Sequence, residues 1–172
     1  MQTFREYFYL TSGYLSGLCI IGITGLIMAQ IIGRFFGVLV PSVEDFSGYC
    51  LSASIFFGLA YTFREGGHIR VSLLIRRLSP GKRRIQETFN LILALFLVGF
   101  MAFYCCHMVW ESHHFNDVSD GYIPVPLWLP QLPVALGSVA LLIAIFDDLV
   151  RVISGKQPSY IEHEDELNLE EI

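Results

Sequence analysis

Phe89–Val109 reads FNLILALFLVGFMAFYCCHMV, 21 residues without a single Asp, Glu, Lys or Arg. A helix needs about 20 apolar residues to cross a hydrocarbon core roughly 30 Å thick. Each charged residue at the middle of such a helix costs about 3 kcal/mol on insertion scales. A stretch this long and this clean is therefore read as a membrane crossing. Three more uncharged runs surround it: Tyr14–Ile32, Phe46–Phe63 and Leu132–Phe146, the last extendable backwards through Leu127, Trp128 and Leu129. The chain is predicted to be an all-α integral membrane protein with four transmembrane helices, at about residues 14–32, 46–63, 89–109 and 129–149.

Composition agrees. The chain is 53% hydrophobic and 16% charged, more apolar and less charged than ordinary soluble domains. One bundle of four helices over residues 1–155 accounts for its length. The formal charge of −5 is concentrated at the end: Glu162, Glu164, Asp165, Glu166, Glu170 and Glu171 all fall in the last 11 residues. Residues 156–172 have little to bury and are expected to form a disordered acidic tail. The first run is read as a span and not as a cleaved signal, because Arg5 is the only basic residue ahead of it, the run is long for a signal core, and Arg34 closes it.

Basic residues are distributed asymmetrically. Arg5 precedes span 1, Arg34 alone lies between spans 1 and 2, seven lie between spans 2 and 3, none between spans 3 and 4, and two follow span 4. Basic short loops stay in the cytoplasm, so both termini and the central loop are expected inside. The connection from Glu111 to Gln131, with Glu111, Asp117 and Asp120, is then expected outside. Tyr7, Tyr9, Tyr61, Phe63, Trp110, Tyr122 and Trp128 lie near span ends, where amphipathic rings favour the headgroup layer. Pro124, Pro126, Pro130 and Pro133 predict an extended or kinked approach to span 4, with Pro133 in its first turn.

In the central loop, Val71, Leu74, Ile75 and Leu78 recur at i, i+3, i+4, i+7, with Arg70, Arg76 and Arg77 elsewhere. That pattern predicts a short amphipathic helix over about 69–78 lying in the membrane interface. Arg70, Arg76, Arg77, Lys82, Arg83 and Arg84 are candidate anchors to anionic headgroups, at about 1 kcal/mol each. The plain alternative is a solvated basic loop. Ser79 and Pro80 read as the N-cap and first residue of the next helix.

Ionisable residues inside spans mark ion paths and substrate sites, and the uncharged runs supply none. His68, His107, His113 and His114 invite a haem or metal reading, but a haem held between helices needs ligands at matched depth on facing helices. His68 falls at one side of the membrane and the other three toward the opposite side. His113, His114, Asp117 and Asp120 are read as solvated loop residues. Cys19, Cys50, Cys105 and Cys106 show no CxxC spacing, and neighbouring Cys105 and Cys106 point about 100° apart on a helix, so they read as small hydrophobes. No metal or cofactor is expected in this chain. The informative polar residues bracket span 2: Glu44 and Asp45 at one end, Arg64, Glu65, His68 and Arg70 at the other. The acidic pair either caps the helix through its dipole or is held by Arg34 or by a basic group of another subunit. Small residues at helix-contact spacing, Gly13/Gly17, Gly33/Gly37, Gly48/Ser52 and Ser54/Gly58, suggest close packing of spans 1 and 2 against each other or against a partner, whereas bulky span 3 suits lipid or a looser contact.

Arg34, then Glu44 and Asp45, then Arg64, His68, Ile69 and Val71 resemble the small membrane subunit, DctQ-type, of tripartite ATP-independent periplasmic (TRAP) transporters. In that family an arginine closes the first helix, an acidic pair opens the second, and an Arg, spacer, His, hydrophobic, x, Val pattern closes it. Pro126, Leu127, Trp128, Leu129, Pro130, Pro133 and Gly137 look like the family's approach to its fourth helix. Two departures are visible: Asp45 where a second Glu is commoner, and Ser72 where Asp is frequent.

The resemblance covers about residues 5–155. It implies a subunit that works as a scaffold and not as an enzyme, in a sodium-coupled importer of an organic acid anion in the bacterial inner membrane. Its partners would be a large elevator-type membrane subunit, which carries substrate and sodium, a periplasmic binding protein, and membrane lipids, with no nucleic acid. Arg34, Glu44, Asp45, Arg64 and His68 are the candidate partner-interface or structural residues. Two other readings fit four clean spans: a membrane anchor for a haem- or quinone-linked redox complex, and a four-helix transporter acting alone.

Overall fold

The computed structural model describes residues 2–64 and 80–155, with side chains described over 9–63 and 85–155. The described residues form four helices: α1 (Gln2–Phe35), α2 (Val43–Arg64), α3 (Pro80–His114) and α4 (Trp128–Ile153). Each contains a stretch long and apolar enough to cross a membrane: Tyr9–Phe35, Val43–Phe63, Ile85–His114 and Trp128–Ile153. The up-and-down order brings the α1–α2 and α3–α4 connections to one face, here the connection face, and the outer ends of the helices to the opposite, terminal face.

The helices do not close into a bundle. The main interfaces run α1 to α2, α2 to α4 and α4 to α3, which makes an open row with α1 and α3 at its edges. Burial follows the row. In the most apolar stretch of α4 39% of residues are buried, against 11% in α3 and none in α1. Side-chain size explains the order. α4 lines its buried face with Ala135, Gly137, Ser138, Ala140 and Ala144, which admit a neighbouring backbone. α3 instead presents Phe89, Phe96, Phe100 and Phe103, all exposed.

The tightest approach joins α2 and α4. A Cβ built on Gly137 would lie 2.6 Å from the backbone carbon and oxygen of Phe56, so only glycine fits. The adjacent Ser138 is completely buried and bonds its own helix, donating to the Ala135 carbonyl at 2.8 Å. α1 is attached to α2 by hydroxyls. Ser12 Oγ donates to the Phe57 carbonyl at 2.5 Å, Ser16 Oγ to the Ser54 carbonyl at 2.8 Å, and Ser54 Oγ back to the Ser16 carbonyl at 3.1 Å. Gly58 lets Ser16 approach and Gly13 sits under the Tyr61 ring, whereas Gly17 and Gly48 face open space.

Several sequence expectations change in detail. Gly33 and Gly37 do not pair with another helix; they end α1. Gly37 is left-handed (φ 69°), its N–H donates to Arg34 O and the Val38 N–H donates to Gly33 O at 2.8 Å, the two bonds of a Schellman cap. Asn116 (φ 54°) ends α3 similarly, with the Asp117 N–H donating to Ser112 O. α3 therefore runs through His113 and His114, which are helical and not loop residues. Pro80 opens α3 as expected, but Pro133 lies inside α4 and not in its first turn, because the helix already starts at Trp128. Tyr9 is not at a wet interface: it is buried in the core cluster with Ala60, Leu91, Ile145 and Leu149. The interfacial helix at 69–78 and the acidic tail at 156–172 lie outside the described residues.

Gly137→Val is expected to lower stability by about 1–3 kcal/mol, because the α2–α4 seam must open to admit the side chain. Gly25→Ala, at a position with nothing within 4 Å, is the matched control and should leave thermal unfolding in detergent unchanged or slightly raised.

Candidate functional site: the connection face

The residues around Arg34, Glu44 and Asp45 meet at the connection face because two chain turns fix them there. The Schellman cap turns the chain at Gly37 and leaves Arg34 in the last turn of α1. Five residues later the chain enters α2 at Ser42, which holds φ 57°, an uncommon conformation for a residue with a Cβ. Its carbonyl accepts the first helical bond, from the Phe46 N–H at 3.1 Å. Its side chain accepts from the Ile123 N–H at 3.1 Å, across 81 residues.

The α3–α4 connection is folded back on itself. Ser119 N–H donates to Val125 O, Leu127 N–H to Asp117 O, and Val125 N–H to Ser119 Oγ at 3.0 Å, around an antiparallel bridge from Val118 to Pro126. Gly121 at its tip lies against the Asp45 carboxylate and Ser42 Oγ, where a Cβ would collide. The two connections are thus stapled by Ser42–Ile123 and by the Asp45–Gly121 contact. Prolines supply the extended geometry here, but the result is an ordered turn.

Arg34, Ser42, Glu44, Asp45, Asp120 and Tyr122 line one cavity of about 410 Å³ at this face. One guanidinium faces three carboxylates. Glu44 and Asp45 occupy the first turn of α2, where its dipole favours negative charge. Among the described residues Arg34 closes no ion pair with either, which leaves the helix dipole and a basic group of another subunit as the two accounts of the pair. Ser42 and Val43 at the start of α2 are buried, whereas Glu44 is exposed and Asp45 half-buried, so the two carboxylates are the accessible groups there.

The remaining candidates lie elsewhere. The backbone of Arg64 ends α2 at the terminal face; its side chain, and those of Lys82, Arg83 and Arg84, lie outside the described side chains, as do His68, Arg70, Arg76 and Arg77 altogether. His107, His113 and His114 share the last turns of one helix, so they supply no facing pair for a haem. His113 packs edge-on to Trp128 at 5.5 Å, a contact between α3 and α4. All four cysteines are free.

Two features escaped the sequence reading. One is the Ser42–Ile123 staple, whose only local signal is the Asp120-Gly121 turn dipeptide. The other is Asp148, which is 2% exposed on the buried face of α4 with Ala144, Ile145 and Val152. It lies near the terminal end of the helix and takes part in polar interactions there, as do Asp147 and Arg151. The signal was present: a charge at i+3 and i+4 from the apolar core positions Ala144 and Ile145.

Residues 23–155 match the family model described as "Tripartite ATP-independent periplasmic transporters, DctQ component". The chain is also 32% identical, over 82 residues, to the C4-dicarboxylate TRAP transporter small permease protein DctQ of Rhodobacter capsulatus. That alignment covers 48% of this chain and 36% of the relative, so the chain spans about a third of the length of the curated relative it matches.

Ser42→Ala should remove the acceptor of the Ile123 amide, a loss of about 1 kcal/mol. Amide hydrogen exchange at Ile123 should quicken while exchange within α2 and α4 stays the same.

Proposed function

Because the chain belongs to the DctQ component family of TRAP transporters, a transport component and not an enzyme, we propose that it is the static subunit of a sodium-coupled, binding-protein-dependent importer of an organic acid anion. In this reading a larger membrane subunit carries substrate and sodium and moves against it, and a periplasmic binding protein docks over the connection face. The observation that carries the proposal is the distribution of charge. The mid-depth portions of all four spans are uncharged, and the buried carboxylate of Asp148 sits near one helix end. A pathway that binds and releases ions across a membrane needs polar groups at the midplane. An open row of apolar helices suits a wall.

The connection face would then be periplasmic, with both termini and the basic central loop cytoplasmic in a bacterial inner membrane. Glu44, Asp45 and Asp120 would offer the docked protein a net negative surface, while Arg70, Arg76, Arg77, Lys82, Arg83 and Arg84 would hold the opposite side against anionic lipid. Sodium belongs to the partner subunit in this scheme, and the chain needs no cofactor of its own.

Proteoliposomes holding this chain alone should show no sodium-dependent carboxylate uptake, and purification from native membranes should bring a large polytopic partner at one-to-one stoichiometry. Uptake by the isolated chain would overturn the scaffold role. Arg76→Glu with Arg77→Glu should reduce uptake by the assembled transporter by weakening lipid anchoring; unchanged uptake and unchanged lipid dependence would remove that part. A periplasm-active reporter fused after Asp120 should be active, and one fused at the C-terminus inactive.

A further inference from the structure

At the connection end of α3, four side chains form a continuous ladder on one helix stripe. Phe103 stacks on His107 (centroids 6.2 Å), His107 meets Trp110 at a tilt of 44° (5.8 Å), and Trp110 stacks on His114 (5.2 Å, 6° between planes). The spacing i, i+4, i+7, i+11 keeps them in one column. Within it, His107 Nδ1 lies 3.4 Å from Glu111 Oε2, and both side chains are about half exposed. The column faces away from the protein: α3 packs mainly on α4, and Phe103 and Trp110 are 64% and 60% exposed.

Depth decides what this column meets. The α3 span covers Ile85–His114, 30 residues. At 1.5 Å per residue that is about 45 Å, roughly 15 Å more than a hydrocarbon core. The charge-free run of α3 begins at Phe89 and ends about 20 residues on, at Val109, so the core runs out there. Trp110, Glu111 and His114 therefore stand in the headgroup layer, with His107 within one turn below them, on an edge helix, turned outward.

We propose that the His107–Trp110–Glu111–His114 column is a binding site for the phosphoethanolamine headgroup of a membrane lipid. The charges are complementary. Glu111 keeps acceptor capacity for a primary ammonium, the His114 imidazole supplies an N–H donor for the phosphate, and His107, with Nδ1 turned to Glu111, orients that carboxylate. The rings hold each other in place, so little side-chain freedom is lost on binding. The Phe103 end of the ladder continues into exposed Phe100 and Phe96, which suit the acyl chain of the same lipid. A headgroup without an ammonium forfeits the Glu111 contact. A quaternary choline cannot donate a hydrogen bond to it. This inference rests on the four spans alone and stands independently of the partner assignments above.

Trp128→Phe leaves Trp110 as the sole tryptophan of the chain. The full-length variant, reconstituted in vesicles, can be titrated with phosphatidylethanolamine, phosphatidylcholine or phosphatidylglycerol carrying brominated acyl chains, reading Trp110 quenching. Association of the ethanolamine lipid is expected to exceed the other two by about two- to fivefold, the range for an exposed ion pair. Glu111→Gln and His114→Phe, which keep the helix and the ring column, should each erase the preference. Equal quenching by all three lipids overturns the proposal, since it marks unselective annular lipid. A photoreactive benzophenone residue at position 103 in native membranes should form lipid adducts; a protein adduct would assign this face to a partner and also overturn it.

Discussion

The fit of Gly137 against the Phe56 backbone is the constraint on which the arrangement depends. In lipid the hydrophobic effect does not drive helices together, because the tails are as apolar as the side chains. Close packing and hydrogen bonds remain. α4 offers a face of Gly, Ala and Ser to α2, and the two backbones approach until a single methyl group would part them. The Ser12, Ser16 and Ser54 hydroxyls then attach α1 to the far side of α2, and bulkier contacts attach α3 to α4. Each outer helix is held by one neighbour, and both are placed by the central seam.

The open row follows from this. A closed bundle needs small or complementary residues on two faces of every helix, and α1 and α3 carry them on one. Their other faces, with Leu18 and Ile21 on α1 and Phe96 and Phe100 on α3, are exposed over long apolar stretches. Such edges have two uses in a bilayer, lipid contact and partner contact, and neither demands a polar group at mid-depth. The clean spans and the open architecture are thus one property seen twice.

The four crossings were legible because each charged residue is expensive in hydrocarbon, so the absence of charge writes span positions directly into the sequence. Pro80 marked a helix start for an equally local reason, its fixed φ and missing N–H. The order of the row was not legible. Small residues at helix-contact spacing mark a face that permits close approach, yet the same glycines serve as caps. Gly33 and Gly37 have the spacing of a packing pair and instead terminate α1, a distinction made by two hydrogen bonds that no spacing encodes. Arg34, Glu44 and Asp45 could be grouped from sequence because they flank one short connection. Gly121 and Ile123 could not be joined to them, since their meeting depends on where α4 stands beside α2.

That last dependence makes the connection face rigid. Ser42 meets Ile123 and Phe56 meets Gly137, and both pairs share a separation of 81 residues. α2 and α4 therefore run parallel and in step from the connections into the membrane, with the same register at two heights. A shift of α4 along α2 would break the Ser42 bond and drive the Phe56 backbone against Ala135 or Leu136 instead of glycine. The staple and the seam enforce one register together. Glu44, Asp45 and Asp120 are consequently held at a fixed height above the packed helices, and any protein docking on them meets a surface that does not yield.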